Sequence, residues 1–268
     1  MPLSLKEKLP LIFLQIPDIE GTMVRKGYDA DQYYEENYLT THISHQTKKI
    51  IGQLVDTDFG NLPHTSSTFD CSTNTLGHLF YLAKILEHAS CNGRSPTTIK
   101  TVLEIGGGYG NLARLIKQAL PNATIIIIDL PEISALQWFF LKSTTPKNTN
   151  VIFHTKSPSD IVPQAINIIP LHLMDAIPLK TDLFVSTFAL SECSQELQEY
   201  VIQKKFFNAS MCYITGQVDG WGHKHNFVNQ SIILTAIEQL YTNVICDQFH
   251  IVFPNLKSYE LIADKMKA

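Results

Sequence analysis

The residues best placed to do chemistry are three carboxylates, a run of glycines and a pair of histidines. Glu104 stands two residues ahead of a turn with glycines at 106, 107, 108 and 110, in "TVLEIGGGYGNLARLI". Asp129 closes the β-branched run "ATIIIID". It lies about 20 residues beyond the glycines, the spacing at which an acidic side chain meets both hydroxyls of a ribose. Glu192 follows the apolar run "DLFVSTFALS", and Gln217, Asp219, Trp221, His223 and His225 crowd the glycine-punctuated "GQVDGWGHKHN". An acid at a strand end attracts a cation or accepts hydrogen bonds from hydroxyls. A carboxylate such as Glu192, or an imidazole such as His223, suits removal of a proton from a hydroxyl.

Three ligand classes use a glycine turn of this kind. A triphosphate loop needs Lys-Ser/Thr after its last glycine, and here Asn111-Leu112 follows Gly110. A dinucleotide fingerprint reads G-x-G-x-x-G, which seats a pyrophosphate on a helix N-terminus. Glycines 106, 108 and 110 give G-x-G-x-G instead, with Asn111 where the third fingerprint glycine would stand. Glu104 discriminates further, because a carboxylate repels a pyrophosphate and favours a cation. S-Adenosylmethionine carries an ammonium and a sulfonium and no phosphate, so E-x-G-x-G-x-G suits it. Asp129 serves either adenine-bearing ligand. The expected cofactor-binding set is Glu104, Gly106, Gly107, Gly108, Gly110, Asp129 and its neighbour Leu130.

These residues need strand ends and helix starts to hold them, and the sequence pattern supplies both. After Pro96, strand and helix patterns alternate: "TVLEI", "NLARLIKQAL", "ATIIIID" and "PEISALQWFFLKS", then "TDLFVSTFAL", "SQELQEYVIQKKFF" and "MCYITGQV". Such alternation predicts a parallel sheet covered on both faces. Two segments compete for the third strand, "VIFHT" and "INIIPLHLM". The second is preferred, because "HLMDAIP" leads directly into the "DLFV" strand. After the helical "SIILTAIEQLY", the segments "NVICDQFHIVF" and "SYELIADK" read as an antiparallel hairpin turning near Pro254-Asn255.

Before Pro96, apolar residues recur at helical spacing in two stretches, "YDADQYYEENYLTTHISHQTKKIIGQLV" and "TLGHLFYLAKILEHA". A polar, turn-rich link joins them. The tyrosines at 28, 33, 34 and 38 are expected mostly to pack this helical layer. The division is a helical N-terminal cap on the substrate side over residues 1–95, and an α/β cofactor-binding domain over 96–268. The segment from Thr65 to Asn74 is expected to close over the cofactor and exclude water.

Composition narrows the setting. The chain has 268 residues, 44% of them hydrophobic, and a net charge of −4 with no dense Lys/Arg run. That balance argues against gripping nucleic acid. Five scattered cysteines, never spaced C-x-x-C, offer neither a disulfide framework nor a zinc site and suit a reducing compartment. The apolar "LPLIFLQIP" is too short to span a membrane and lacks a cleavage site, so it reads as a packing segment. A cytoplasmic location is the expectation.

"VLEIGGGYGNLARL" followed by "IIDLPE" resembles the first two motifs of class I S-adenosylmethionine-dependent methyltransferases. Together, "EIGGGYG", "IDLPE" and "DLFVSTFALSE" resemble the bacterial sugar O-methyltransferase family, from about Thr98 onward. The resemblance implies a Rossmann-like sheet closed by an antiparallel hairpin, S-adenosylmethionine as donor and S-adenosylhomocysteine as product. It implies a sugar hydroxyl as acceptor, on a nucleotide sugar, glycolipid or surface-polysaccharide precursor. Leu173 and Met174, after the third strand, would cover the adenine; many relatives have Asp where this chain has His172. Ser186, at the fourth strand's end, would sit near the methyl-bearing end of the cofactor.

Glu192, His223 and Asp219 are the candidate catalytic residues, and Trp221 offers a face for a sugar ring. Asp219, His223 and His225 would also suit a divalent metal, but no metal is predicted. The alternatives are a phenolic or natural-product acceptor, a non-catalytic module that binds the cofactor, and a nicotinamide oxidoreductase. A nucleic-acid amine methyltransferase is disfavoured, since no Asn/Asp-Pro-Pro-aromatic motif follows the fourth strand.

Overall fold

A computed structural model describes residues 13–15, 23–24, 29–156, 161–177, 180–218, 230–249 and 257–266. The N-terminal part is helical. Helix α1 (Asp29–Asn37) runs into a π-helical turn (Tyr38–His42), and α2 (His45–Ile51) follows, with the Ser44 hydroxyl accepting from the Thr47 N–H at its start. The turn-rich link holds a small antiparallel pair, β1 (His64–Ser66) and β2 (Cys71–Ser72). Ser72 then caps α3 (Thr73–Cys91), its hydroxyl accepting from the Thr75 N–H.

Strand–helix alternation follows: β3 (Thr101–Ile105), α4 (Asn111–Ala119), β4 (Thr124–Asp129), α5 (Pro131–Thr144), β5 (Val151–Phe153) and β6 (Ile166–Pro170). A 3₁₀ turn (Leu171–Ala176) leads to β7 (Leu183–Thr187), α6 (Ala189–Glu192), α7 (Gln195–Gln203) and β8 (Met211–Gln217). Last come α8 (Gln230–Leu240), β9 (Tyr241–Phe249) and β10 (Ser258–Met266). The link from α7 to β8 includes Lys205, Phe206, Phe207 and Asn208, all with φ between +48 and +55.

Eight strands form one sheet in the order β5-β6-β4-β3-β7-β8-β10-β9. Strands β3 to β8 are parallel, and β10 enters antiparallel between β8 and β9. This is the Rossmann-like sheet with a closing antiparallel hairpin that the sequence predicts. The sequence alternation on either side of β3 sends β4 one way and β7 the other, so the strand order reverses there. Ligands of open α/β sheets bind at such a point, beyond the carboxyl ends of the strands. Ile125 to Ile128 of β4 are all fully buried; a central parallel strand is covered on both faces and needs no polar side.

Alternate side chains feed two cores. Val102, Ile125, Ile127, Val185 and Tyr213 pack under α3, α4 and α5. Leu103, Ile126, Phe184 and Ile214 pack with Val201 of α7 and Ile233 and Ile237 of α8. The first core runs without a break from Leu39 and Ile51 through α3 to the sheet, across the change in sequence character near Pro96.

Of the two candidate third strands, β6 is the neighbour of β4, and β5 adds to the outer edge. Three expectations differ from the structure. The long helical pattern before residue 56 is broken by the π-helical turn and by Ser44. The Thr65–Asn74 segment is more ordered than a plain link: it holds the end of β1, the turn at 67–70, β2 and the start of α3. Tyr33 is exposed; Tyr34, though partly exposed, and Tyr38 both meet Phe80 edge-on, and Tyr28 lies outside the described residues.

Candidate functional site

The turn after β3 is shaped by backbone that only glycine adopts freely. Gly106, Gly108 and Gly110 have φ of +74, +53 and +100. A Cβ on Gly106 would overlap the Ala189 Cβ of α6, and one on Gly107 would come 2.8 Å from Ile127 Cγ2. The turn therefore lies directly on β4 and α6. Gly110, left-handed, opens α4.

Glu104 sits beneath this turn. It is 1% exposed, and neither carboxyl oxygen has a hydrogen-bond partner. Burial pushes its pKa up to about 8, with the Asp129 charge adding to the shift. Asp129 is better supported: its carboxyl accepts from the Leu130 N–H at 2.9 Å and from Gln137 Nε2 at 2.8 Å. Burial still raises its pKa to about 6, with those bonds and one from Gly107 opposing the shift. Asp129 thus ionises at lower pH than Glu104, whose proton is held on chiefly by burial and further by the Asp129 charge.

Gln137 was not legible as a site residue. It lies in the apolar run of α5, fully buried, and its Nε2 also donates to the Gly108 carbonyl at 2.9 Å. One amide therefore ties the glycine turn to Asp129. The only sequence signal is a lone amide on an apolar helix face.

A second set of bonds clamps the turn from the N-terminal part. Asn74 Nδ2 donates to the Tyr109 hydroxyl at 2.6 Å, and Asn111 Nδ2 donates to Thr75 Oγ1 at 3.0 Å. Arg114 Nε donates to Asn111 Oδ1 at 2.8 Å and its Nη1 to the Val55 carbonyl at 2.7 Å, with Asp56 3.5 Å away. Asp56 in turn accepts from the Ser72 N–H and from Thr75 Oγ1. These residues come from chain segments far apart, so spacing gave no warning of them.

On the neighbouring strand β7, Ser186 is fully buried and committed to the backbone. Its hydroxyl donates to the Ile105 carbonyl at 3.2 Å and accepts from the Leu190 N–H at 3.0 Å. It joins the end of β3 to the start of α6. Phe188, between β7 and α6, holds φ +63, a strained value for an aromatic residue. Glu192 ends α6 at the exposed edge, where Gln217 Nε2 reaches its Oε1 at 3.4 Å. The protein around its carboxyl raises its pKa. Leu173 and Met174 lie half-buried in the 3₁₀ turn after β6, packed against the second core. Leu130 is exposed beside Asp129, and His172 is exposed.

The structure thus gathers Glu104, Asp129 and the glycines at one end, and Ser186, Glu192 and Gln217 at the other. Asp219, Trp221, His223 and His225 lie outside the described residues. Among the described residues no group of three His, Cys, Asp or Glu side chains is placed to hold a metal ion. Among them, too, no helix is long and apolar enough to cross a membrane.

No family model matches the chain. Over 75 residues, 28% of its length, the chain is 32% identical to pluviatolide O-methyltransferase of Sinopodophyllum hexandrum, and the match spans 19% of that protein. Magnesium protoporphyrin IX methyltransferase (ChlM) from Synechocystis PCC 6803 with bound SAH is 8% identical, with a TM-score of 0.49 over 90% of this chain and 100% of that one. PigF with SAH is 14% identical, with a TM-score of 0.45 over 98% of this chain and 78% of that one. The mitomycin 7-O-methyltransferase MmcR is 10% identical, with a TM-score of 0.40 over 88% and 68%.

Proposed function

We propose that this chain is an S-adenosylmethionine-dependent O-methyltransferase acting on a sugar hydroxyl of a nucleotide sugar, glycolipid or surface-polysaccharide precursor. The observation that carries the donor is Glu104. A sealed carboxyl with neither oxygen hydrogen-bonded is costly unless a cation compensates it. The other residues fit the same ligand: Asp129, held by Gln137, for the ribose hydroxyls, and Leu130, Leu173 and Met174 as apolar cover for the adenine. The glycine turn supplies backbone in place of side chains.

When bound, S-adenosylmethionine supplies a methyl carbon activated by its sulfonium. Glu192 takes the proton from the acceptor hydroxyl, and its raised pKa makes it a better proton acceptor near neutrality. Gln217 holds it in place. Asp219 and His223 are the other candidates for that role. Residues 1–95 act as a cap over a donor domain formed by 96–268, and the free cysteines suit the cytoplasm.

The resemblance of "DLFVSTFALSE" to sugar O-methyltransferases supports the sugar. The 75-residue likeness to pluviatolide O-methyltransferase favours a second reading, a natural-product hydroxyl. Titration calorimetry with S-adenosylhomocysteine and with NAD tests the donor; saturable NAD binding without S-adenosylhomocysteine binding overturns it. An acceptor screen that yields methylated phenols and no methylated saccharide overturns the sugar. Glu192→Gln is expected to lower turnover by about 10²–10⁴-fold while leaving S-adenosylhomocysteine affinity unchanged.

A further inference from the structure

On the face of the sheet covered by α3, one block of the core is polar where the fold calls for apolar packing. Strands β8 and β10 place Gln217 opposite Ser258 and Thr215 opposite Glu260. Alternation along each strand and direct pairing across them put all four side chains on that face. All four are buried, and Thr215 Oγ1, Gln217 Oε1 and Ser258 Oγ have no hydrogen-bond partner. Glu260 differs: Lys84 Nζ of α3 donates to it at 2.9 Å and the Tyr213 hydroxyl at 2.8 Å. A buried hydroxyl or amide left unpaired destabilises the fold, and Val, Ala or Leu would fill the same space without that cost. The three unpaired atoms are contiguous, lie at the carboxyl end of β8, and include the side chain that bonds Glu192.

We propose that Thr215, Gln217 and Ser258 form the floor of the acceptor site, and that this floor takes a hydroxyl-rich ring, a saccharide, in preference to a phenol. The inference rests on the methyl-transfer reading above and specifies its acceptor. Directly paired residues stand about 5 Å apart and alternate residues of one strand about 7 Å apart. The three therefore cover the span of a single sugar ring. They offer two hydroxyls, which both donate and accept, and one amide oxygen, which accepts. A phenol such as catechol has at most two hydroxyls, both on one edge of a flat ring, and leaves the rest unmet. Glu192, at the edge of the floor, takes the proton of the hydroxyl to be methylated. In this structure the floor is covered, with α3 fastened over the face by Lys84 on Glu260 and by Tyr81 against Tyr213. The acceptor enters from the exposed rim at Glu192, next to Gln217.

Thermal unfolding with and without S-adenosylhomocysteine, and methyl transfer from S-adenosylmethionine, test this on wild type, Ser258→Ala and Thr215→Val/Ser258→Ala. The probes are the methyl glycosides of glucose, galactose, mannose and rhamnose, with catechol as the phenol. Without probe, the double variant is expected to melt about 2–4 °C above wild type, since unpaired groups are gone. S-Adenosylhomocysteine should stabilise all three proteins equally. A glycoside should raise the melting temperature of wild type alone and be methylated by wild type alone. The proposal is overturned if the variants melt lower or fail to fold, which would mean that the hydroxyls hold the fold. It is also overturned if the variants handle glycosides as wild type does, or if wild type responds to catechol and to no glycoside. Failure of wild type to bind S-adenosylhomocysteine would sink the methyl-transfer reading instead, and the glycoside arm run without it still reads the floor.

Discussion

The two halves of the sheet present different kinds of polar group at their carboxyl ends. On β3 and β4 they are acids, Glu104 and Asp129, both with pKa raised by burial. At the carboxyl end of β8 and the facing start of β10 the unpaired groups are neutral, Thr215, Gln217 and Ser258, beside Glu260, which is ion-paired with Lys84, and Glu192 at the rim. The unpaired acid Glu104 responds to pH and to a cation; the unpaired hydroxyls and amide oxygen of the other half respond to hydrogen-bonding partners. On the proposed function, one end suits a charged donor and the other an uncharged acceptor.

The strongest way to break that division is at the residue where the halves touch. Gly106 of the turn lies against Ala189 of α6. Gly106→Ala should cost about 5 kcal/mol, from overlap and from a φ of +74 that alanine resists, and should abolish S-adenosylhomocysteine binding in calorimetry.

Next in size is the pH response of the acidic half. Glu104 holds its proton up to about pH 8 when folded and only to its ordinary 4.5 when unfolded. Between those values the folded chain binds the extra proton, so this contribution to stability is full below pH 4.5 and falls as pH rises to 8, by about 5 kcal/mol. Urea unfolding across pH should show that slope in wild type. Glu104→Gln should flatten it above pH 6, leaving the lower limb of the same sign that belongs to Asp129. Binding of S-adenosylmethionine at pH 7 should release a proton, visible as a buffer-dependent heat.

Gln137→Leu comes next. It removes both bonds of the amide, and S-adenosylhomocysteine affinity should drop about tenfold. Because the amide opposes the rise of the Asp129 pKa, the acid limb of binding should also move to higher pH. A tenfold loss without that movement would mean that Gln137 holds only the turn. The smallest effect belongs to the neutral half: Lys205 is exposed at φ +52 ahead of β8, and Lys205→Gly should stabilise the fold by about 1 kcal/mol in the same unfolding assay.

The same contrast explains what could be read from the chain. Glu104, the glycines and Asp129 are legible because one strand–turn–helix–strand unit carries them in a single stretch. The choice of β6 as third strand and the closing hairpin followed from local pattern in the same way. Gln137 escaped notice because a helix face that reads as apolar hides one amide whose partners are 8 and 29 residues away. Asp56 and Arg114 meet only because α3 and α4 pack side by side, and nothing local marks the pair. The β1–β2 pair is too short for periodicity to register. Thr215 and Ser258 looked like ordinary strand residues, and became neighbours only through the register of β10 on β8.

That register has a consequence for the order of assembly. The chain makes β9 before β10, yet in the sheet β9 pairs with β10 alone, and β10 fills the place beside β8. A growing chain therefore holds β9 as an open edge until the next strand arrives, and non-local pairings of this kind form late. Pulse-labelled hydrogen exchange should protect β9 and β10 together, after β3 and β4; protection of β9 in step with β3 would contradict this order. The donor end of the cleft is then complete in a nascent protein that still lacks Ser258.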